Sequence, residues 1–340
     1  LAETNIAGEM MDLAAAGYLP EELDPSEIAH DIIERYRGLW QELIGDEWFD
    51  AGDRWRVDER IRRLNALGFD VDELAITTDL DGTLLDRNHR VPIRNREAVA
   101  RAVASGAEFA LATGRPFRWI MPVLEQLTVL PVCVTSNGAV LYDSAEDRVL
   151  SARELYPDAL EEVVTVALRV LGTVGFGAER AGGSLANAPE ELFVVDPHYS
   201  ENALFEGFGV VSVGELVARP VVKLLIRNTD YSAPELYDLI APHIDPELAH
   251  ITYSMQEGVL EVAAPNVTKR RGVEWLAKQH GIAQEETIAF GDMPNDIEML
   301  TWAGCGVAME NALPVVKAAA DAVTVANHQA GVAKVLERWF

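Results

Sequence analysis

The sequence predicts an α/β protein: a largely parallel sheet with helices on both faces, interrupted by an α+β insert and preceded by a helical extension. Three observations carry this. From about residue 74 onward, short apolar runs that stop at Gly, Asn or Asp alternate with helical patterns, which is the arrangement of βαβ units. Between residues 152 and 257 that alternation breaks and a Gly-rich, mixed segment takes its place. The first 73 residues carry only amphipathic helical stripes. The expected divisions are therefore 1–73 for the extension, 74–151 and 258–340 for the two parts of the sheet domain, and 152–257 for the insert.

Taken in order, DPSEIAHDIIERYRGLWQELI offers Asp24 as a helix N-cap with Pro25 at the first helical position, followed by Ile28, Ile32, Tyr36, Leu39 and Leu43 at helical spacing. A second helix near 53–67 places Val57, Ile61 and Leu64 on one face and stops at Gly68, with Phe69 available as an apolar C-cap contact. Two such helices cannot bury their stripes alone, so they need the following domain, a second copy of the chain or further sequence. EFALAT (108–113), PVCVTS (131–136), TIAFGD (287–292) and GVAM (306–309) then read as strands, with REAVARAVASG and DIEMLTWAG as helices between them. The insert holds a helix, DALEEVVTVALRV, strand-like pieces TVGFGAER and VVKLLIRN, and the stretch AGGSLANAPEEL.

The 340 residues, 49% of them hydrophobic, suffice for a sizeable core. With 28 Lys and Arg against 55 Asp and Glu, the formal charge is −27, a surface field that repels polyanions and argues against nucleic acid or an anionic membrane as partner. An anionic substrate would then need a local cationic device. Cys133 and Cys305 each lie in an apolar segment and read as reduced core residues of a cytoplasmic protein. No apolar run is long enough to span a bilayer, and no basic segment followed by an apolar one opens the chain. The chain starts at Leu1 rather than Met, which reads as a piece of something longer.

One stretch raises a question of charge. AITTDLDGTLLD (75–86) puts Asp79 and Asp81 where the first buried strand stops. A calcium loop also begins D-x-D, but it needs glycine sixth and glutamate twelfth; here glycine is fourth and Arg90 twelfth. In parallel sheets ligands sit beyond the carboxyl ends of the strands, so other strand ends are where compensation is expected. Thr113 ends the next run in LATGRP, Lys269 precedes a helical pattern in NVTKRRG, and GDMPNDIEML supplies Asp292, Asn295 and Asp296. No G-x-x-x-x-G-K-[ST] or G-x-S-x-G occurs, and GTVGFG lacks dinucleotide register.

This ordered set, D-x-D-G-T, a lone threonine, a lone lysine and GDxxxD, resembles the haloacid dehalogenase superfamily over about residues 74–340. TGRP, the SNGA segment at 136–139, the long insert and the ending GVAMENALPVVKAAADAVTVANHQAGV resemble its Cof-type branch. The resemblance implies a Rossmann-like core, an α+β cap of the C2 type, and a Mg2+-dependent phosphatase acting on a small phosphorylated metabolite, sugar phosphates foremost. It implies Asp79 as nucleophile and metal ligand, the Asp81 carbonyl and Asp292 as the other protein ligands, and the Asp81 side chain as proton donor and acceptor. Thr113 would bond a phosphoryl oxygen and Lys269 would offset the shared charge. Asn295 and Asp296, at the edge of the metal site, would orient metal waters and Lys269. Gly114, Arg115, Ser136 and Asn137 would line the substrate entrance. The same aspartyl-phosphate could be passed to a sugar, as in a phosphomutase, and a fold that binds ligand without turnover is the non-enzymatic alternative.

Departures from the branch are Pro294, Arg270 and Glu310 where glycine is usual; none removes a reacting group. Lys223 in VVKLLIRN reads as a solvated strand position and His198 as a surface residue. RIRRLNALGFDVDEL and LAETNIAGEMMDLAAAG resemble the tail of an actinobacterial domain of unknown function, implying a packing element, with a homodimer through these helices or through the cap as one arrangement.

Overall fold

The computed structural model describes residues 74–201 and 207–340, and places them around two sheets. The helices expected at 24–43 and 53–67 lie outside the described residues. The first sheet contains β1 (Ala75–Thr78), β2 (Glu108–Ala112), β3 (Val132–Thr135), β4 (Val140–Asp143) and β5 (Arg148–Ala152). The second contains β6 (Gly175–Glu179), β7 (Phe193–Val195), β8 (Gly209–Val210), β9 (Lys223–Arg227), β10 (His250–Thr252) and β11 (Val259–Ala263). The chain then returns to the first sheet with β12 (Thr287–Gly291), β13 (Cys305–Ala308) and β14 (Ala322–Val323). The principal helices are α1 (Ile93–Ala104), α2 (Pro157–Leu171), α3 (Ala233–Ile240), α4 (Lys269–His280), α5 (Ile297–Trp302) and α6 (Gly331–Leu336).

The first sheet runs β14-β13-β12-β1-β2-β3-β4-β5. Its pairings from β14 to β3 are parallel, and β4 and β5 add an antiparallel edge. From β1 the chain steps one way to β2, whereas β12, β13 and β14 step the other way. Right-handed crossovers therefore put α1 and α5 on opposite faces. The order reverses between β1 and β12, so the crevice of the sheet opens beside the end of β1. Ile76, Leu111, Val134, Ile288 and Phe290 are buried in the core under these helices, as near-continuous apolar parallel strands require.

The second sheet, β10-β11-β9-β6-β7-β8, is antiparallel except for β7 and β8. Helix α2 buries Leu160, Val163, Val164 and Ala167, the i, i+3, i+4, i+7 stripe of an amphipathic helix. They pack with Phe176, Ala178, Leu224, Ile226, Leu260 and Val262, each side chain contributing about 1.5 to 3 kcal/mol if fully removed from water. The second sheet extends to Ala263, past the division drawn at 257 and 258. VLEVA (259–263) pairs with the antiparallel β9, and the first strand to rejoin the parallel sheet is TIAFG.

Candidate active site

Four parallel strand ends meet at the crevice: Asp79 follows β1, Thr113 follows β2, Ser136 follows β3 and Asp292 follows β12. After Asp79 the chain leaves the strand direction. Asp81 keeps extended dihedrals, and Gly82 takes φ +80°. A side chain at position 82 would meet more than strain, since a Cβ there would lie 2.2 Å from Asp292 Oδ2. The glycine thus lets the loop lie directly against the Asp292 carboxylate. Asn311 donates to the Gly82 carbonyl at 2.8 Å and Asn327 to the Leu85 carbonyl at 2.7 Å, holding the turn.

Lys269 begins α4, whose N-cap Thr268 accepts from the Arg271 amide. The helix approaches β3 closely because Gly272 has no Cβ; one would sit 2.4 Å from Val134 Cγ1. The Lys269 ammonium, on a residue only 1% exposed, donates to Asp79 Oδ1 at 2.6 Å and Asp296 Oδ1 at 2.7 Å. Asp296 Oδ2 accepts from the backbone amides of Asp292 and Met293, each at 3.0 Å. Both Asp296 oxygens are thereby engaged, so this residue positions the lysine and the turn. Asp292 Oδ1 accepts from Thr83 at 2.9 Å, leaving Oδ2 over Gly82.

The charges do not balance. Asp79, Asp292 and Asp296 are all buried and can each present an oxygen within 4.8 Å of the others, with one ammonium among them. Burial, opposed by Lys269 and reinforced by the other carboxylates, holds Asp79 well above the usual carboxylate range. Burial and then Asp296 push Asp292 up to about 7. For Lys269, burial works to lower the value, but Asp296 and Asp79 overcome it and the group stays charged. An all-oxygen donor set with excess negative charge and an uncovered Asp292 Oδ2 fits a small hard divalent cation. Asp79 and Asp292 are the residues that would hold it.

Arg115 closes the other side of the loop with two bonds to the Asp81 carboxylate, 2.6 Å from Nε and 2.5 Å from Nη2. Thr113 is buried, and its Oγ1 accepts from the Arg115 amide at 3.1 Å. Asp79, Asp81, Thr113, Gly114, Arg115, Ser136, Lys269 and Asn295 all reach one cavity of about 580 Å³. Asn137 does not line it. Its amide spans Asn295, whose Nδ2 donates to it at 3.0 Å, and the Glu261 carboxylate, to which it donates; the expected place at the substrate entrance is replaced by a brace between the two sheets.

The far wall of the cavity is one face of the second sheet. Glu179 pairs in register with both Phe193 and Lys223, and Glu261 with Leu225, so these side chains point the same way. Lys223 is 5% exposed, donating to the Gly114 carbonyl at 2.6 Å and to Glu261 at 3.1 Å. The solvated position expected for it is not what the structure shows: the face it shares looks into the cavity. Arg118 pairs with Glu179 and lies over the Trp119 and Phe193 rings at 5.0 and 5.6 Å. Trp119, Glu179, Phe193, Tyr199 and Glu261 went unnoticed in the sequence, where nothing distinguishes them from ordinary core or surface residues. The two asparagines of the ending GVAMENALPVVKAAADAVTVANHQAGV, which hold the Gly82 turn, carried a usable signal. His198 is half-exposed beside Glu201, as expected of a surface residue. Cys133 and Cys305 are buried and form no disulfide among the described residues. Among the described residues no helix is long and apolar enough to cross a membrane.

Comparison with known proteins finds two family matches and a set of relatives. A domain of unknown function, DUF4032, matches residues 38–103. The 5-amino-6-(5-phospho-D-ribitylamino)uracil phosphatase YitU of Bacillus subtilis is 27% identical over 273 residues, covering 78% of this chain and 97% of that protein. The HMP-PP phosphatase of Serratia proteamaculans is 30% identical over 275 residues, covering 77% and 93%. Among solved structures, the HAD subclass IIB sugar phosphatase BT4131 matches with a TM-score of 0.65 at 26% identity, over 78% of this chain and 98% of that one. The haloacid dehalogenase-like hydrolase family itself matches residues 76–336, both parts of the parallel sheet and the insert between them, and the chain belongs to that family.

Proposed function

We propose that this protein is a Mg2+-dependent phosphatase of small phosphorylated metabolites that works through an aspartyl-phosphate. The observation that carries the reading is the Lys269 ammonium bonded to both Asp79 and Asp296, with Asp292 within ligand distance, beneath a cavity of small-molecule size. The relatives' names add that proteins of this form remove phosphate from small organic molecules.

Bound between Asp79, Asp292 and the Asp81 carbonyl, the metal ion would neutralise the repulsion between a carboxylate and a phosphate dianion. Asp79 has one oxygen held by Lys269; the other attacks phosphorus, and the bond from phosphorus to the substrate oxygen breaks as Asp81 gives that oxygen a proton. Asp81 then takes a proton from water, whose oxygen attacks the same phosphorus. The phosphorus bond to Asp79 breaks, and inorganic phosphate leaves with both aspartates restored. Arg115 orients the Asp81 carboxylate, and Thr113 offers its hydroxyl to the phosphoryl group at the end of β2.

Phosphate release from a panel of phosphomonoesters tests this. Turnover is expected with Mg2+, its loss in EDTA, and its loss in Asp79→Asn with the fold retained by circular dichroism. Full activity of Asp79→Asn, or unchanged turnover in EDTA, refutes it.

A further inference from the structure

The parallel sheet has a second opening, at the end of its strands opposite the acidic cluster. Ala75 pairs in register with Glu108 and Thr77 with Ala110, so these four share one face of the sheet. Helix α4 covers that face unevenly. Its first half lies hard against Val134 through Gly272. Its second half stands over the smaller Ala75, Thr77 and Ala110 and leaves a groove of about 190 Å³, roofed by Leu276 and Ala277.

The groove is apolar inside and open at its rim. Leu130 stands on the rim with 58% of its surface exposed, and Glu108 reaches His280 at 3.2 Å where α4 ends. An apolar cavity of about 150 Å³ is large enough for a benzene ring. This one therefore has room for a single large apolar side chain.

Chain connectivity selects the occupant. The Leu74 carbonyl accepts from the Glu108 amide at 2.9 Å, so the chain before it leaves the sheet at the mouth of the groove. Phe69 stands five residues earlier, and five residues span at most about 18 Å. Ahead of it come Val57, Ile61 and Leu64, the apolar stripe that cannot bury itself. A tether this short sets an effective concentration in roughly the millimolar range. A second copy of the chain has no such advantage, and a groove one side chain wide falls well short of the roughly 800 Å² per partner that a stable dimer buries.

We propose that the Phe69 side chain seats in this groove and docks segment 57–69 of the chain across Leu130, on the amino end of the parallel sheet. The surface takes the chain's own extension as its partner. It lies at the opposite end of β1 from Asp79, so the proposal is independent of the phosphatase reading.

Disulfide capture in the full chain tests it. Phe69→Cys combined with Leu130→Cys is expected to close an intramolecular disulfide under mild oxidation, seen as a faster-migrating monomer on a non-reducing gel. Phe69→Cys combined with Val315→Cys, a position as exposed at 57%, is expected to close none. A disulfide-linked dimer in place of the monomer would mean that a second copy fills the groove, and it overturns the proposal. So does equal capture at both positions, or capture at neither. A second measurement does not depend on disulfide geometry. Tryptic cleavage after Arg60, Arg62 and Arg63 is expected to be about ten- to hundredfold faster in Phe69→Ala than in the wild type, the scale of one buried aromatic side chain. The groove-filling variant Ala110→Leu is expected to show the same acceleration, with native folding checked by circular dichroism. Cleavage rates unchanged in Phe69→Ala overturn the proposal.

Discussion

Replacing Lys269 with methionine removes the one ammonium from the buried acidic cluster while keeping most of the side-chain length. In the native protein that ammonium holds Asp79 and Asp296 at 2.6 and 2.7 Å. The carboxylates of Asp79, Asp292 and Asp296 can each present an oxygen within 4.8 Å of the others, a separation at which two charges repel by about 3.5 kcal/mol at an effective dielectric of about 20. Taking away the partner of a buried charge costs about 3 to 5 kcal/mol, a large share of the roughly 5 to 15 kcal/mol that holds a domain together. Lys269→Met should therefore fold, with a denaturation midpoint well below that of the wild type. Its turnover should fall by about 10² to 10³, as when a preorganised electrostatic group is lost.

The pH dependence has a fixed sign. The folded-state value of Lys269 is raised, so its contribution is complete below the unfolded value of about 10.4 and is lost only as pH climbs through the higher folded value. Between pH 5 and 8 the wild-type ammonium is thus constant. In the variant, Asp79 loses its cation, and its already raised value rises further. A raised carboxylate penalises folding once pH exceeds its unfolded value near 4, and the penalty grows until pH reaches the folded value. Urea denaturation in EDTA should show a deficit of about 3 to 5 kcal/mol at pH 8 and a smaller one at pH 5. Equal midpoints at pH 8, or a deficit that widens on acidification, would refute the argument.

Two further outcomes follow from the same loop. Gly82→Ala brings a Cβ to 2.2 Å from Asp292 Oδ2 at φ +80°, so the Mg2+ concentration for half-maximal activity should rise at least about tenfold, one ligand being displaced; an unchanged requirement in a Mg2+ titration counts against Asp292 as a ligand. Because Asp292 sits at about 7 in the metal-free protein, its ionisation destabilises the fold progressively from near pH 4 up to that value, and a bound cation removes the penalty. The Mg2+-induced rise in melting temperature should accordingly be larger at pH 8 than at pH 5.5, and thermal shifts equal at the two pH values would contradict this.

Much of the parallel core was legible because its constraint is local. A side chain that must face the crevice has to lie within a residue or two of a strand's carboxyl end. Asp79, Thr113, Ser136 and Asp292 all do, and a glycine or a change of hydrophobic period marks each end. Lys269 was legible for a related reason: it stands where a helical pattern begins in the sequence, and the structure starts the helix there. Asn137 was misjudged because adjacency to a strand end does not fix where an amide points. Glu261, which claims that amide, lies 124 residues away.

The insert hid its contribution for a different reason. An antiparallel sheet packed on helices is ordinarily read as having one buried face and one solvated face, and alternation in its strands assigns charged residues to water. In β6, β9 and β11 that rule sends Glu179, Lys223 and Glu261 outward. Outward is correct, since the opposite face packs Ala178, Leu224 and Leu260 against helices. The error is in the medium, for what lies beyond the face is the cavity above the parallel strands. The aromatic residues on the same face then look like core, and the paired charges look like surface, although all of them face one small volume. No periodicity can separate water from an active site as the thing a sheet looks out on. The assignment needs the second domain in place, and once it is there the buried pair Lys223 and Glu261 becomes the strongest sign that this face never was solvent-facing.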